Sequence, residues 1–298
     1  MKILLLGANG QVGWELQRSL SPLGDLVALD RHSNQLCGDL TNLNGIAHTV
    51  RLLAPDVIVN AAAYTAVDRA EIDVETAHLV NAVAPGVIAK AATATGAWLV
   101  HYSTDYVFDG SGSKPWVETD PTNPLNVYGK TKLEGEQRIA SHCAKHLIFR
   151  TSWIYAARGS NFAKIMVRLA HESKTLNVIN DQFGAPTGAE LLADVTAHAI
   201  RQVRQRPQDA GLYHLAASGQ TTWHGYAKHV LASAEYAQPA IKLIVKEVTA
   251  VPTSAFVTPA VRPHNSRLNT AKLQTTFGVT LPAWQQGVDR MLAEFLSA

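Results

Sequence analysis

Tyr128 and Lys132 stand four residues apart in Tyr-Gly-Lys-Thr-Lys, downstream of Ser103-Thr104-Asp105. On a helix that spacing puts both side chains on one face, with about 5–6 Å between Cβ atoms, so the Lys132 ammonium can lie beneath the Tyr128 phenol. A cation there favours the phenolate. Free tyrosine titrates near ~10, and each unit of lowering corresponds to about 1.4 kcal/mol of differential stabilisation. A tyrosine tuned in this way exchanges a proton with a carbonyl or alcohol oxygen near neutral pH.

A second group of residues could hold a dinucleotide. Gly7, Gly10 and Gly13 follow a short apolar run and open a helical stretch, with Gln11 and Val12 between them. Glycines there permit a tight turn and close approach of backbone to a pyrophosphate at the positive helix end. The spacing, G-x-x-G-x-x-G, departs from the G-x-G-x-x-G fingerprint. Asp30 ends the second apolar run, where a carboxylate holds the ribose 2′-hydroxyl of NAD, and Arg31 follows it, where a guanidinium suits the 2′-phosphate of NADP. The pair leaves NADH and NADPH both open.

These side chains need a scaffold. The first half of the chain alternates β-type runs (Ile3–Leu6, Leu26–Leu29, Val57–Asn60, Trp98–Ser103, Leu147–Thr151) with stretches of helical period, Val12-Leu16-Leu20 and Val80-Val83-Val87-Ile88-Ala91. That alternation predicts an α/β fold, a Rossmann-type doubly wound parallel sheet that binds its ligand beyond the carboxyl ends of the strands. After Trp153 the texture changes. A helix over 161–174, a strand over 176–180, a turn at 184–188, a strand over 212–216, a helix over 223–236 and an extended 241–248 predict a smaller α/β unit in discontinuous pieces. We place the dinucleotide domain at 1–152 with a returning segment at about 188–217, and the substrate domain at about 153–187 and 218–298.

Composition narrows the function classes. Apolar residues make up 47% and charged residues 17% of 298, and the net charge of +2 comes without a basic tract, which argues against nucleic-acid or membrane-surface binding. Two cysteines, Cys37 and Cys143, are too few for a disulfide framework and fit a reducing compartment. The apolar start stops at Gly7, short of a secretory or membrane segment, so cytoplasmic residence is expected. His142-Cys143-x-x-His146 lacks a second ligand pair for zinc, and Ser103 lacks the Gly-x-Ser-x-Gly setting of a hydrolase nucleophile. Asp68 and Glu71, three apart, read as a solvated helix start.

With its motifs placed, the chain resembles the extended short-chain dehydrogenases/reductases, and within them the dTDP-4-dehydrorhamnose reductases. Blocks that carry the resemblance include Val57–Ala63, Thr65–Asp68, Ser103–Phe108, Tyr128–Lys132, Arg150–Trp153, Asn180–Thr187 and Arg262–Leu268. Asp-Gln-x-Gly-Ala-Pro-Thr and Arg-Pro-x-Asn-Ser-Arg-Leu are the specific ones, since epimerases and dehydratases share the rest of the scaffold. The resemblance implies reduction by NADPH or NADH of the C4 keto group of dTDP-4-dehydro-L-rhamnose, the last step of dTDP-rhamnose synthesis for cell-surface polysaccharide such as O-antigen. It implies Thr104, Tyr128 and Lys132 as the catalytic set. Asp39, Leu40, Ala63, Tyr64 and Thr65 would join the glycine turn and Asp30 around the cofactor. The sugar nucleotide would meet Val67, Asp105, Trp153, Phe162, Gln182, Arg262 and Asn265, with Arg262 on the diphosphate. A homodimer is implied too, with Mg²⁺ held in some members by glutamates at the positions of Glu15, Glu190 and Glu294. Chains similar to this one also serve as nucleotide-sugar epimerases, dehydratases and noncatalytic regulatory subunits.

Overall fold

The computed structural model describes residues 1–297. Its centre is set by a run of four buried residues, Ile3 to Leu6, too apolar on both faces to border water. They form β1 (Lys2–Leu6), followed by α1 (Gln11–Leu20), β2 (Asp25–Leu29), α2 (Leu43–Leu53) and β3 (Val57–Asn60). The chain continues through the short α3 (Val67–Ala70) and α4 (Val74–His78), a wide π turn at Leu79–Val83, α5 (Ala84–Thr95), β4 (Trp98–Thr104), α6 (Val127–His142) and β5 (His146–Thr151).

Later come β6 (Ile154–Tyr155), α7 (Phe162–Glu172), β7 (Thr175–Ile179), β8 (Phe183–Gly184), β9 (Thr187–Gly188) and α8 (Ala189–Gln205). The last elements are β10 (Gly211–His214), β11 (Thr221–Thr222), α9 (Trp223–Ala237), β12 (Glu247–Val251), α10 (Ala271–Phe277) and α11 (Trp284–Ser297). The main sheet has six strands in the order β10-β5-β4-β3-β1-β2, and every pairing is parallel.

Alternation along β1 divides the core into two layers. Ile3 and Leu5 pack with Val12, Leu16 and Leu20 of α1 and the inner face of α8, while Leu4 and Leu6 pack with α2, α5 and Ile139 of α6. Each such side chain taken from water contributes roughly 1.5–3 kcal/mol, so the layering fixes strand register firmly. The strand order reverses between β2 and β3 on either side of β1, and ligands of doubly wound sheets sit at such a reversal. A third apolar cluster lies among α7, α9 and α11, backed by the parallel pair β7–β12. Residues 189–214 leave this cluster and rejoin the main sheet through α8 and β10.

Two local expectations need correction. Residues 241–246 are irregular and the strand lies at Glu247–Val251, because the backbone N–H groups of Ile244 and Val245 both donate to the Ala170 carbonyl near the end of α7 and cannot enter a ladder. The period expected from Val80 is broken by the π turn, so Val80, Val83 and Val87 are only partly buried while Ile88 and Ala91 are in the core. Among the described residues no helix is long and apolar enough to cross a membrane.

Candidate active site

Thr104 is the last residue of β4, and its exit from the sheet is tied down locally. Its hydroxyl accepts from the Tyr106 N–H at 3.1 Å and donates to Asp105 Oδ1 at 3.2 Å. Asp105 is 2% exposed, and its other oxygen, Oδ2, has no partner within the described residues. Burial raises this carboxyl to about 7, against bonds from Ser266 and Thr104 that favour the charged form.

Tyr128 arrives from α6. Asn126 caps that helix, its Oδ1 accepting from the Gly129 N–H at 2.8 Å, while Glu71 accepts from the Val127 N–H at 2.8 Å. The Tyr128 ring meets Tyr106 edge to face with centroids 5.7 Å apart. Burial raises the Tyr128 phenol to about 12, and the Thr104 hydroxyl pulls it the other way. Thr104, Asp105 and Tyr128 therefore converge at the carboxyl end of β4.

Lys132 follows Tyr128 by one turn of α6. Its side-chain nitrogen is held by polar partners of β4. It donates to the Tyr102 carbonyl at 2.6 Å and lies 3.1 Å from His101 Nε2, with the whole side chain 1% exposed. Burial lowers Lys132 to about 8, opposed by Glu136 one turn on. Glu136 is itself held by Arg150 in a buried two-pronged pair, Nε to Oε1 at 2.9 Å and Nη2 to Oε2 at 2.7 Å.

The glycine turn has the form a dinucleotide needs. Gly7 adopts φ +87°, and a Cβ on Gly13 would stand 2.0 Å from the Gly7 carbonyl oxygen. The N-terminus of α1 carries no side-chain cap and no acidic residue in its first turn, so its N–H groups and dipole remain available to a phosphate. Gln11 Oε1 accepts from the Asn161 amide, which ties this turn to the smaller unit. Asp39 turns the chain by accepting from the Thr41 N–H and hydroxyl, and Leu40 is buried beside it. Ala63, Tyr64 and Thr65 form the loop after β3, where the Asn81 amide on the π turn bonds both the N–H and the carbonyl of Tyr64. Asp30 has protein partners already: Asn9 Nδ2, the His32 N–H and the Ser33 hydroxyl. Arg31 is exposed.

The residues expected at the sugar nucleotide fall into two sets. Val67 starts α3, and Arg262 lies across it with its guanidinium on Asp68. Asp68 and Glu71, read as a solvated helix start, are thus a latch for the 260–262 loop and a cap for α6, a role invisible to local spacing. The other set packs. Trp153, at φ +48°, stacks on Trp223 with centroids 3.7 Å apart, and Phe162 fills the angle between Trp223 and Tyr226. The Gln182 amide donates to Thr253 and accepts from Trp223 Nε1, and the Asn265 amide donates to the carbonyls of Ser111 and Lys114.

Glu15, Glu190 and Glu294 line one small pocket with Tyr155. Burial raises Glu190, with further upward pushes from Glu15 and Glu294 and a downward one from Arg290. Among the described residues no three His, Cys, Asp or Glu side chains are grouped closely enough to hold a metal ion. Asn60, His101, Asn81 and Ser266 were not anticipated. The available signal was polarity out of place, an asparagine closing the apolar β3 and a histidine inside the apolar β4.

Comparison with known proteins agrees with this geometry. A family model described as RmlD substrate binding domain matches residues 1–297. The dTDP-4-dehydrorhamnose reductase of Salmonella typhimurium is 63% identical over 297 residues, covering 100% of this chain and 99% of that one. The chain belongs to the dTDP-4-dehydrorhamnose reductase family. It is an NAD(P)H-dependent oxidoreductase. The reductase of Escherichia coli K12 is 62% identical with the same coverage. Two solved reductases superpose along the chain: that of Clostridium acetobutylicum, at TM-score 0.89 and 34% identity over 100% of both chains, and that of Bacillus anthracis in complex with NADP, at 0.87 and 33% over 98% and 99%.

Proposed function

We propose that this protein reduces the C4 carbonyl of dTDP-4-dehydro-L-rhamnose to the alcohol of dTDP-L-rhamnose, with Tyr128 as the proton donor. The observation that carries this assignment is the meeting of Thr104 and Tyr128 at the carboxyl end of β4, in the same parallel sheet whose β1 opens into the glycine turn of α1. The turn, with Asp30, Asp39, Leu40 and Ala63–Thr65, holds the dinucleotide, whose reduced nicotinamide supplies a hydride when bound. The free α1 N-terminus and the cleared space at Gly13 fit its pyrophosphate.

Thr104 and Tyr128 then share the carbonyl oxygen. As C4 is reduced the oxygen gains charge, the Tyr128 O–H proton moves to it, and the Thr104 hydroxyl supports the oxygen throughout. A phenol held at about 12 is fully protonated at neutral pH, the form this direction of reaction consumes. The Arg262 guanidinium, held by Asp68 and bonded towards Tyr106, would exchange the Asp68 carboxylate for diphosphate oxygens when the sugar nucleotide binds, and Trp153, Phe162 and Gln182 would border the sugar nucleotide. Cytoplasmic residence, a homodimer and Mg²⁺ at Glu15, Glu190 and Glu294 belong to this reading through family resemblance; within one chain these carboxylates do not close into a ligand set, and no step runs through a metal.

The test is oxidation of NADPH and NADH at 340 nm with dTDP-4-dehydro-L-rhamnose made in situ. Stoichiometric oxidation with formation of dTDP-L-rhamnose is expected. Tyr128→Phe should lose roughly 10²–10⁴ in turnover with cofactor binding retained, the size of an acid–base contribution. Turnover without absorbance change would instead indicate internal hydride recycling, as in an epimerase.

A further inference from the structure

Asn126 stands two residues before Tyr128 and makes two hydrogen bonds in opposite directions. Its Oδ1 accepts from the Gly129 N–H at 2.8 Å, closing the first turn of α6 around Val127 and Tyr128. Its Nδ2 donates to the Val261 carbonyl at 2.8 Å, 135 residues further along the chain and next to Arg262. One partner is a backbone donor and the other a backbone acceptor, so the amide has a single orientation. Asn126 is 2% exposed, which keeps water from competing for either bond.

Val261 is 60% exposed, so at that residue the loop is held by its backbone. The loop's second anchor is Asp68, which accepts from the Ala260 N–H at 3.2 Å and from both terminal nitrogens of Arg262. Binding of a diphosphate by Arg262 takes the guanidinium from Asp68. The Asn126 bond, made to a backbone carbonyl, is untouched by that exchange. Tyr106 also lies between Arg262 and Tyr128, bonded to the guanidinium and edge-on to the Tyr128 ring, but it joins side chain to side chain. Asn126 joins backbone to backbone.

In a sugar nucleotide the diphosphate is carried on C1 and the reacting carbonyl is C4, across one six-membered ring. The group that takes the first and the group that serves the second must therefore keep a fixed separation. We propose that Asn126 is a positioning residue for the reduction: its amide sets the span between Arg262 on the diphosphate and Tyr128 at C4, and keeps that span after Arg262 has left Asp68. The inference rests on Arg262 and Tyr128 having those roles. A shift at one end is felt at the other, because proton transfer needs the phenol oxygen within about 2.6–3.2 Å of the carbonyl oxygen.

The test separates the span from the helix cap. Asn126→Asp and Asn126→Ser both keep an oxygen for the Gly129 N–H, since aspartate and serine cap helices as well as asparagine does. The first brings no donor to Val261 at neutral pH, and the second is too short to reach it. Both should melt near the wild type and bind NADPH as tightly by fluorescence titration, whereas Asn126→Ala, which loses the cap, should melt lower. In either capped variant kcat should fall roughly five- to tenfold, the worth of one hydrogen bond. Arg262→Ala removes one end of the span, so in that background the same substitution should lower kcat by less than about twofold. Equal losses of kcat in the two backgrounds, or an unchanged kcat in a capped variant that folds, would overturn the proposal. If one capped variant does not fold, the other carries the test. An unchanged KM in Arg262→Ala alone would take the diphosphate from Arg262, and the proposal with it, a failure distinct from equal losses in the two backgrounds.

Discussion

Arg262 closes onto Asp68 through two parallel hydrogen bonds, Nη1 to Oδ1 at 3.1 Å and Nη2 to Oδ2 at 2.6 Å, across 194 residues of chain. The pair joins α3 to the loop that precedes Asn265, and it occupies the guanidinium that a diphosphate would need. A partly exposed ion pair contributes only about 0–1 kcal/mol, so its value lies in placing Arg262 rather than in stability.

Asp68→Asn should therefore change unfolding free energy by under about 1 kcal/mol in a urea titration. Arg262→Ala should raise KM for the sugar nucleotide about tenfold or more, the loss of a charge-assisted contact worth roughly 1.5–3 kcal/mol. An unchanged KM would make Arg262 a loop latch and nothing more.

Gly13→Ala places a methyl group 2.0 Å from the Gly7 oxygen, backbone against backbone, with no flexible group to yield. The turn must open, at a cost of about 1–3 kcal/mol. Weaker cofactor binding, at least tenfold by fluorescence titration, should accompany a lower melting temperature. Melting unchanged together with cofactor affinity unchanged would show that the turn is not the dinucleotide cradle.

Asp105 gives a pH signature of known sign. Its folded-state pKa of about 7 is raised above that of an unfolded aspartate, near 3.9, so the folded state binds the extra proton between these values. Its contribution is intact below pH 4 and is lost as pH rises through 7, in total at most about 4 kcal/mol. Asp105→Asn, which cannot ionise, should gain stability over the wild type at pH 8 and much less at pH 4. Equal differences at the two pH values would show that Asp105 is not a buried, reluctant acid.

The parts of the fold that could be read from sequence are those with short-range causes. Ile3–Leu6 and Val57–Asn60 are apolar enough to demand two covered faces, and the glycine turn announces itself by spacing. Thr104, Tyr128 and Lys132 came with their motifs. What stayed hidden depends on partners far along the chain. The bonds of the Asn265 amide to Ser111 and Lys114 have no local signal, and Asp68 looks solvated until Arg262 arrives. The extended stretch expected at 241–248 becomes a strand only at 247 because the Ala170 carbonyl near the end of α7 holds the N–H groups of Ile244 and Val245. The buried contact of Lys132 with His101 likewise leads on to Asn60, seventy-two residues before Lys132 in sequence and two hydrogen bonds away in space.

The π turn at Leu79–Val83 has a consequence best counted in residues. A π turn carries about one residue more than an α turn, so it works as an insertion that rotates whatever follows by about 100°. Asn81 holds both the Tyr64 backbone and the Thr131 hydroxyl from inside that turn. Removing one residue here would restore a regular helix and swing Asn81 away from the cofactor loop, although no side chain of the site had been touched. The segment is therefore intolerant of length change, in a way that no substitution of the site's own side chains would reveal.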